Sequence, residues 1–288
     1  MRSTEKLKDI MARRAAVIVP GAANAMFARL IEATGFEAVY VTGAGIANMH
    51  LGVPDIGLTT MTEVADTLAR ISDTVSIPVI VDADTGFGNA VNVVRTVRTF
   101  ERAGAAAIQI EDQTFPKRCG HFVGKAVVPL LDMLSKIKAA ADARDDSAFQ
   151  IIARTDARAV EGIDRAIERA LAFVEAGADV TFVEAPVDLN ELSRIPKDIC
   201  APQVANMVFG GKTPDPGRAK LQELGYSIVL YANVVLQSAL KASRDVLTEL
   251  GKGGSLASVA DRLGSFEERQ KLLGKDTWDE LERRYRVD

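Results

Sequence analysis

The clearest chemical potential in this 288-residue chain lies in the stretch Lys117-Arg118-Cys119-Gly120-His121. Positive charge stabilises a thiolate, so a thiol set between two cations and a histidine can exchange protons near neutral pH. A free cysteine is more often a small buried apolar residue. However, a basic, glycine-broken segment with one of the chain's 2 histidines is not typical of a core. We therefore predict Cys119 to be an acid or a base in an active site.

A second group of chemically capable residues is formed by carboxylates. Asp82 and Asp84 lie on the same side of an extended chain, directly before the glycine-loosened segment Thr85-Gly86-Phe87-Gly88. Glu111 can add a third carboxylate from a neighbouring strand. Hard oxygen ligands without a cysteine or histidine cluster suit Mg²⁺ or Mn²⁺ rather than zinc. The sequence therefore predicts a divalent cation site. An aspartic-protease reading of Asp-Thr-Gly would need a second copy and an all-β setting, which the chain lacks.

The elements that must position these residues follow a repeating unit, in which a helical pattern ends at a glycine and an apolar strand follows. The glycines are candidate helix C-caps: Gly35, Gly104, Gly177 and Gly225. Eight strands are predicted, at residues 16–19, 38–41, 78–81, 107–110, 150–153, 180–183, 202–205 and 228–230. Apolar strands separated by amphipathic helices are typical of a parallel sheet buried on both faces. The pattern predicts an α/β fold, a (β/α)8 barrel of the TIM type.

The barrel is predicted to span residues 1–250, and residues 251–288 form a C-terminal helical extension of the same domain. Ser265 and Glu268 have the spacing of a capping box, so this tail is expected to be ordered helix. A doubly wound open sheet is the competing architecture. It is disfavoured because the first strand lacks the Gly-x-Gly-x-x-Gly turn of a dinucleotide fold.

Polar residues recur directly after the apolar strands. In a parallel barrel the C-terminal strand ends converge on one mouth, where active sites are built. Any one of these residues could be an ordinary loop residue or a helix N-cap. However, each charged side chain beside the core would destabilise the fold by several kcal/mol unless it were paired or bound to a metal ion. We therefore predict one shared site that includes Thr42, Asp82, Asp84, Glu111, Arg154, Glu184 and Asn206.

Composition limits the protein's partners and compartment. The net charge of -4 argues against a nucleic-acid binder, because such proteins carry a clustered positive surface. The 2 cysteines are too few for a disulfide framework or a thiolate zinc site, which fits a reducing compartment. The N-terminus is charged, and no stretch has the ~20 apolar residues of a membrane span. We expect a soluble, cytoplasmic protein with neither nucleic-acid nor membrane partners.

Together the motifs resemble those of the isocitrate lyase and phosphoenolpyruvate mutase superfamily over essentially the whole chain. The resemblance implies a (β/α)8 barrel whose eighth helix is exchanged with a neighbouring subunit, and a homotetramer built as a dimer of dimers. It also implies Mg²⁺ at the mouth and keto-acid or enolate chemistry on a small carboxylic acid substrate. The matching elements are residues 40–45, 52–55, 82–88, 110–113, 117–121, 154–157 and 206–207.

The Cys119 segment separates branches of this superfamily. The members that break carbon-carbon bonds are similar here in carrying Lys-[Lys/Arg]-Cys-Gly-His, whereas the phosphonate mutases generally lack the cysteine. The resemblance therefore implies a retro-aldol cleavage of a 2-hydroxy di- or tricarboxylate into a 2-oxo acid, such as pyruvate, and a carboxylic acid. Cys119 would donate a proton to the departing carboxylic acid.

The same resemblance assigns the other site residues. Arg154 would neutralise charge on the substrate oxygen, Tyr40 would handle the hydroxyl proton or pack against the substrate, and His121 would bind a carboxylate or tune Cys119. The metal would be held by Asp82, Asp84 and Glu111, with Mn²⁺ as an alternative to Mg²⁺. The implied substrate contacts are Thr42, Gly43, Ala44, Asp55, Lys117, Arg118, Gly120, Glu184, Asn206 and Phe209.

The segment after Asn206 bears on the substrate. Residues 207–214 look more like those of 2,3-dimethylmalate lyases and carboxyphosphonoenolpyruvate mutases than those of methylisocitrate lyases. An apolar Phe209, where those two groups often carry glutamate, would favour an alkyl substituent over a third carboxylate if its ring faces the pocket. We predict a 2,3-dimethylmalate-like substrate, with 2-methylisocitrate second. The alternatives are an oxaloacetate hydrolase or decarboxylase, or a carboxyphosphonoenolpyruvate phosphonomutase. A non-enzymatic keto-acid binder is disfavoured by the intact site.

Overall fold

Eight short parallel strands form the centre of the structure, a computed structural model that describes residues 1–117 and 124–287. Each strand begins and ends within three residues of its predicted bounds. The strands are β1 (Val17–Ala22), β2 (Val39–Val41), β3 (Val79–Asp82), β4 (Ala107–Glu111), β5 (Gln150–Thr155), β6 (Val180–Val183), β7 (Val204–Asn206) and β8 (Ile228–Tyr231).

The strands are arranged as a barrel. Their hydrogen-bonded order is β6-β5-β4-β3-β2-β1-β8-β7. A parallel bridge between Thr181 of β6 and Gln203, just before β7, joins the two ends of this order. The Thr181 hydroxyl also donates to Gln203 Oε1 at 2.8 Å. The predicted (β/α)8 barrel is confirmed, and the open-sheet alternative is excluded by this closure.

Helices connect the strands and surround them. The helix α3 continues directly into a π-helical turn, Ala47–Leu51. Short 3₁₀ turns, Leu256–Ser258 and Ala260–Arg262, precede the last two helices. The α-helices are α1 (Ser3–Ala12), α2 (Ala25–Ala33), α3 (Gly43–Ile46), α4 (Met61–Ser72), α5 (Ala90–Arg102), α6 (Leu130–Ala143), α7 (Arg158–Glu161), α8 (Ile163–Glu175), α9 (Leu189–Asp198), α10 (Arg218–Leu224), α11 (Val234–Gly251), α12 (Phe266–Leu272) and α13 (Lys275–Tyr285).

The period of two along each strand divides the core into layers. In β2, Tyr40 belongs to the cluster inside the barrel, whereas Val39 and Val41 pack between the sheet and the outer helices. Leu7 and Met11 of α1 join the inner cluster. Each fully buried aliphatic side chain of this kind contributes roughly 1.5–3 kcal/mol. Burial on both faces explains why the strands are apolar throughout.

The glycines that follow helices have the backbone geometry that the sequence predicts. Gly35, Gly104, Gly177 and Gly225 have φ values of 90°, 96°, 110° and 96°. At Gly104 a Cβ would also lie 2.7 Å from Cβ of Ser72. Positive φ is disfavoured for residues with a Cβ, so these positions end the helices and turn the chain into the next strand.

The C-terminal helices α11, α12 and α13 contain no buried residue, a feature that they share only with the four-residue helix α7 among the α-helices of the described residues. The helix α11 follows β8 and ends at Gly251, close to the boundary predicted after residue 250. Both this division and the exchange of a helix between subunits stay predictions. Among residues 1–117 and 124–287, no helix is both long and apolar enough to cross a membrane.

Candidate active site

All but one of the polar residues predicted at the strand ends line one pocket at the barrel mouth; the exception, Asp84, lies behind the lining residue Lys117, with its Oδ1 2.8 Å from Lys117 Nζ. The volume of the pocket is about 40 Å³, which is room for a few water molecules, since one water needs roughly 10–15 Å³ by this measure. The predicted site residues in its lining are Tyr40, Thr42, Ala44, Asp55, Asp82, Glu111, Lys117, Arg154, Glu184 and Asn206. The lining also includes Val208, Leu230, Ala232 and Asn233, which the sequence analysis did not single out.

Asp82 and Asp84 are held together by the backbone between them. Asp82 ends β3, and its Oδ1 accepts a hydrogen bond from the Asp84 amide at 3.0 Å. Asp84 has a φ of 47°, which is uncommon for a residue with a side chain and typically costs about 1–3 kcal/mol. The amide of Glu111 donates to the Asp84 carbonyl at 2.8 Å and fixes this turn against β4. Three carboxylates thus approach the mouth from two adjacent strands.

Lys117 places a buried cation between two of the carboxylates. Its Nζ lies 2.6 Å from Asp55 Oδ1 and 2.8 Å from Asp84 Oδ1. Burial works to lower the pKa of Lys117, but Asp84 and the other surrounding carboxylates raise it well above its usual value, so the amine is charged. Burial raises the pKa of Asp84 to about 6, with Lys117 opposing the shift and Asp82 adding to it.

Arg154 supplies a second fixed positive charge. Its Nε lies 2.9 Å from Asp156 Oδ2 and 3.3 Å from Glu111 Oε2, and its Nη2 lies 4.0 Å from Glu184 Oε2. Burial would raise the pKa of Asp156, but Arg154 and Lys125 overcome it and hold that pKa at about 2. Asp156 is therefore ionised and keeps the guanidinium aimed at the pocket.

A layer beneath the pocket orients Asp156. Asp112 Oδ1 accepts from the Asp156 amide at 2.9 Å, and its Oδ2 accepts from the Thr155 hydroxyl at 2.7 Å and from Arg169 Nε at 2.9 Å. Lys125 Nζ lies 2.6 Å from Asp156 Oδ1. Asp156 was not predicted as a site residue, although alternation along β5 places it on the same side as Arg154.

Glu111 and Asn206 each direct an unsatisfied atom into the site. Within the described part of the chain, Glu111 Oε1 and Asn206 Oδ1 are buried without a hydrogen-bond partner. Burial raises the pKa of Glu111 well above its usual value, and Arg154 opposes that shift. A buried carboxylate oxygen without a partner lowers the stability of the fold by about 1–3 kcal/mol or more. The pocket therefore suits a ligand that binds oxygen atoms.

Tyr40 lies inside the barrel below these groups. Its hydroxyl donates to Gln109 Oε1 at 3.0 Å, and Gln109 Nε2 donates to Asp82 Oδ1 at 3.4 Å. Burial, reinforced by the nearby Asp82 carboxylate, raises the pKa of Tyr40 well above its usual value. Tyr40 is therefore a neutral phenol that hydrogen-bonds, and a phenolate base is disfavoured at this position.

The start of α3 forms the opposite side of the carboxylate pair. The Thr42 hydroxyl accepts from the Gly45 amide at 3.2 Å and donates to Asn233 Oδ1 at 3.2 Å. A Cβ on Gly43 would lie 3.0 Å from Asp82 Oδ2 and 3.3 Å from Asp84 Oδ1. The first amides of a helix lack an intrahelical acceptor and carry its positive dipole end, so this corner suits an anion. Asn233 was missed, although it follows β8 as the predicted residues follow their strands.

The predicted metal ligands do not form a closed set. Among the described residues, no three Asp, Glu, His or Cys side chains are arranged to hold a metal ion together. Mg²⁺, however, commonly takes one or two carboxylates and completes its shell with water and substrate oxygens. The donors here are oxygen atoms, Glu111 Oε1 is unpartnered, and Gly43 leaves open the space that a side chain would fill. The residues present therefore fit a partly hydrated Mg²⁺, but not three direct carboxylate ligands.

The remaining predicted residues lie elsewhere. Phe209 does not line the pocket. Its side chain is 90% exposed and borders a neighbouring groove. The preceding residue, Val208, lines the pocket instead. The condition attached to Phe209, that its ring faces the pocket, is not met. Arg118, Cys119, Gly120 and His121 lie outside the described residues.

Fold and site together define a (β/α)8 barrel with an acidic, oxygen-rich pocket at its mouth. The profile of the phosphoenolpyruvate phosphomutase family matches residues 7–250, and the chain belongs to this family, within the phosphoenolpyruvate mutase and isocitrate lyase superfamily. The resemblance inferred from the motifs is thereby confirmed.

Characterised relatives match along nearly the whole chain. A 2,3-dimethylmalate lyase of Eubacterium barkeri is 47% identical over 285 residues, covering 99% of both chains. A 2-methylisocitrate lyase of Aeropyrum pernix is 47% identical over 268 residues, covering 93% of this chain and 86% of the relative. These similarities connect the chain to lyases of the superfamily.

Solved structures agree with this placement. The crystal structure of a 2,3-dimethylmalate lyase superimposes with a TM-score of 0.92 at 31% identity, covering 99% of this chain and 95% of the other. A phosphonopyruvate hydrolase in complex with oxalate and Mg²⁺ superimposes with a TM-score of 0.89 at 32% identity, covering 99% of both chains. The family thus includes a member with the divalent cation that the pocket fits.

Proposed function

We propose that this protein is a Mg²⁺-dependent carbon-carbon lyase that cleaves a 2-hydroxy di- or tricarboxylate into a 2-oxo acid and a carboxylic acid. A 2,3-dimethylmalate-like substrate is the first choice, and 2-methylisocitrate is the second. The observation that carries the proposal is the position of Arg154, a fixed cation that shares one pocket with Asp82, Glu111 and the start of α3. The 47% identity to a 2,3-dimethylmalate lyase, which extends over 99% of both chains, supports the proposal.

The pocket can hold the 2-oxo acid half of the substrate. The amides of Gly43 and Ala44 can donate to its carboxylate, and Arg154 can neutralise charge on the oxygen where it develops. Donors that are already held in place by Asp156 and by the Thr42 cap need little reorganisation during the reaction. Asn206 contacts the other half of the substrate.

Asp82, Asp84 and Glu111 would hold the cation, partly through water. When bound, Mg²⁺ supplies Lewis-acid stabilisation of negative charge on the substrate oxygens, and Mn²⁺ can replace it. The phosphonopyruvate hydrolase structure with oxalate and Mg²⁺ supports the choice of Mg²⁺ as the cation, and oxalate resembles a 2-oxo acid in its adjacent oxygens.

The reaction breaks the bond between the hydroxyl-bearing carbon and its neighbour. The hydroxyl proton leaves, the hydroxyl-bearing carbon becomes the keto carbon, and the bonding pair passes to the departing carboxylic acid as a carbanion. A proton donor must then quench this carbanion, and Cys119 takes this role in the proposal. The support for Cys119 is its basic sequence setting, which favours a thiol that exchanges protons near neutral pH.

The test is a coupled assay for 2-oxo acid release with Mg²⁺, run on 2,3-dimethylmalate, 2-methylisocitrate, isocitrate and oxaloacetate. The wild-type protein should release pyruvate from at least one hydroxy acid, and Cys119→Ser should abolish this release. Cys119→Ser should still bind oxalate, which separates lost chemistry from lost binding. Activity on oxaloacetate alone, unchanged in Cys119→Ser, would move the protein to the hydrolase or decarboxylase class.

We also propose that the working form is a cytoplasmic homotetramer in which the C-terminal helices are exchanged between neighbouring subunits. Apolar side chains exposed on these helices support it, including Leu240, Leu247, Phe266 and Trp278. Multi-angle light scattering on the full chain measures the mass directly. A monomer at micromolar concentration would refute this assembly. Neither nucleic acid nor a membrane is proposed as a partner.

A further inference from the structure

Lys136 is a buried lysine of α6 that has no part in the proposed reaction. The residue is only 9% exposed, and its Nζ donates to the Thr85 carbonyl at 2.8 Å. Thr85 directly follows Asp84 in the turn after β3. We propose that Lys136 is a positioning residue, which holds this turn so that Asp82 and Asp84 present their carboxylates to the metal ion. The inference rests on the proposed function and adds a residue to it.

The turn after β3 needs contacts from its surroundings to keep its shape. Asp84, Gly86, Phe87 and Gly88 have positive φ values of 47°, 89°, 58° and 145°. Positive φ is disfavoured at Asp84 and Phe87, because both carry a Cβ. Such conformations persist only where neighbouring structure holds them in place. The carboxylate of Asp84 therefore keeps its position only as long as the turn is held from outside.

Hydrogen bonds hold the backbone of this turn at four successive peptides. Every carbonyl from residue 83 to residue 86 accepts one. Lys136 supplies the bond to Thr85, the peptide directly after Asp84, and it reaches this peptide from α6. The other three bonds join the Gly86 amide to the Ala83 carbonyl at 2.8 Å, the Glu111 amide to the Asp84 carbonyl at 2.8 Å, and the Thr96 hydroxyl to the Gly86 carbonyl at 3.1 Å.

The stability of the fold does not explain a lysine at position 136. Among residues 1–117 and 124–287, its ammonium group has no ion-pair partner. Burial lowers the pKa of Lys136, and Asp132 on the same helix opposes that shift. A buried ammonium group without a paired carboxylate destabilises a fold, whereas methionine fills a similar volume without a charge. The bond to Thr85 is what the lysine provides and methionine does not.

The charge of Lys136 and its hydrogen bond affect metal binding in opposite directions. The charge acts on Glu111, so it also repels a cation at the mouth, and its removal alone would tighten metal binding. Loss of the hydrogen bond frees the Thr85 peptide and lets the Asp84 carboxylate move, which weakens metal binding. Groups that orient metal ligands typically contribute about 10–100-fold in affinity. Positioning therefore predicts weaker binding, where charge alone predicts tighter binding.

The test is the Mn²⁺ affinity of Lys136→Met, measured from the free-ion signal in electron paramagnetic resonance titrations, together with the midpoint of unfolding in urea. The affinity should fall by about tenfold. The midpoint should equal or exceed that of the wild-type protein, because the variant no longer buries an unpaired charge.

Two variants serve as controls. Lys138→Met removes an exposed lysine of the same helix and should change the Mn²⁺ affinity by less than about twofold. Thr96→Val removes the bond to the Gly86 carbonyl, which lies one peptide further from Asp84. It should weaken Mn²⁺ binding by less than about threefold, since the peptide next to Asp84 stays held by Lys136.

The outcomes separate this inference from the proposed function. If the wild-type protein binds no Mn²⁺, the metal site is refuted, and this inference with it. If the wild-type protein binds Mn²⁺ and cleaves a hydroxy acid, but Lys136→Met binds Mn²⁺ equally or more tightly, the positioning role is refuted while the lyase stands. Weaker binding with a lower urea midpoint would assign Lys136 to the stability of the fold instead. An equal loss in Thr96→Val would also overturn the assignment.

Discussion

Lys117 Nζ lies 2.8 Å from Asp84 Oδ1, so an ammonium group sits beside a carboxylate that the sequence assigns to a divalent cation. Asp55 completes this arrangement from the other side of the lysine. Two cations that bind the same carboxylate repel each other. Two unit charges 4 Å apart repel by roughly 4 kcal/mol when the effective dielectric constant is 20. Metal binding and the position of Lys117 are therefore linked.

The first prediction concerns this competition. Lys117→Met removes the ammonium, leaves Asp84 free for the metal, and should tighten Mn²⁺ binding by about tenfold, a change of about 1.4 kcal/mol. The free-ion signal in electron paramagnetic resonance titrations measures the affinity without any turnover. Lys117→Arg keeps the charge and serves as the control. Unchanged or weaker Mn²⁺ binding in Lys117→Met, in protein shown by circular dichroism to be folded, would contradict the competition.

The second prediction follows from the raised pKa of Asp84, which is about 6. Below this pH the carboxyl is protonated, and a metal can bind only by displacing the proton. The apparent affinity for Mn²⁺ should therefore fall by up to tenfold per pH unit as the pH drops below 6, where binding should release a proton from Asp84. Calorimetric titrations in buffers of different ionisation enthalpy measure both effects. If Asp84→Asn retained the same pH dependence, another group would be responsible.

The third prediction concerns Asp156, which holds both Arg154 and Lys125. Asp156→Asn removes the carboxylate that Arg154 and Lys125 share, and removing one partner of a buried ion pair typically costs about 3–5 kcal/mol. The free energy of unfolding in urea should fall by that amount. Glu168→Gln is the control, because its pair with Arg165 is exposed and such pairs contribute about 0–1 kcal/mol. Equal losses in the two variants would show that the buried network has no special role.

The fourth prediction concerns Gly43, whose lack of a side chain leaves room beside Asp82 and Asp84. Gly43→Ala places a methyl group 3.0 Å from Asp82 Oδ2, closer than a Cβ normally approaches an oxygen. It should weaken Mn²⁺ binding by at least tenfold and leave the fold intact, since only the end of a side chain must move. Gly251→Ala, at a position with no atom near the added methyl group, is the control. Wild-type affinity in Gly43→Ala would place the metal away from this corner.

Much of the fold could be predicted because the signals are local. A strand buried on both faces must be apolar throughout, and a chain that turns from a helix into a strand favours glycine at positive φ, as at Gly35 and Gly177. Strand ends in a parallel barrel must converge. The positions of Arg154, Glu111 and Asn206 in one pocket follow from that geometry alone.

Details of the site depend on directions and distances that composition does not encode. Related sequences often carry glutamate at the position of Phe209, which suggested that this residue lines the pocket. Side chains alternate along the chain here, so Val208 lines the pocket and Phe209 is exposed. The ion pair between Lys117 and Asp84 links residues 33 positions apart through a cavity whose shape depends on the whole barrel. The three predicted metal ligands were chosen by type, whereas their spacing suits a partly hydrated ion.

The central claim is carbon-carbon bond cleavage followed by protonation of the departing carboxylic acid. The most direct measurement is nuclear magnetic resonance of the products formed from 2,3-dimethylmalate in D₂O with Mg²⁺, for the wild-type protein and Cys119→Ser. We expect pyruvate and propionate in equal amounts, with one deuterium next to the propionate carboxylate, and no products from Cys119→Ser. Unchanged substrate in the wild-type sample, or the same product yield from Cys119→Ser, would contradict this claim.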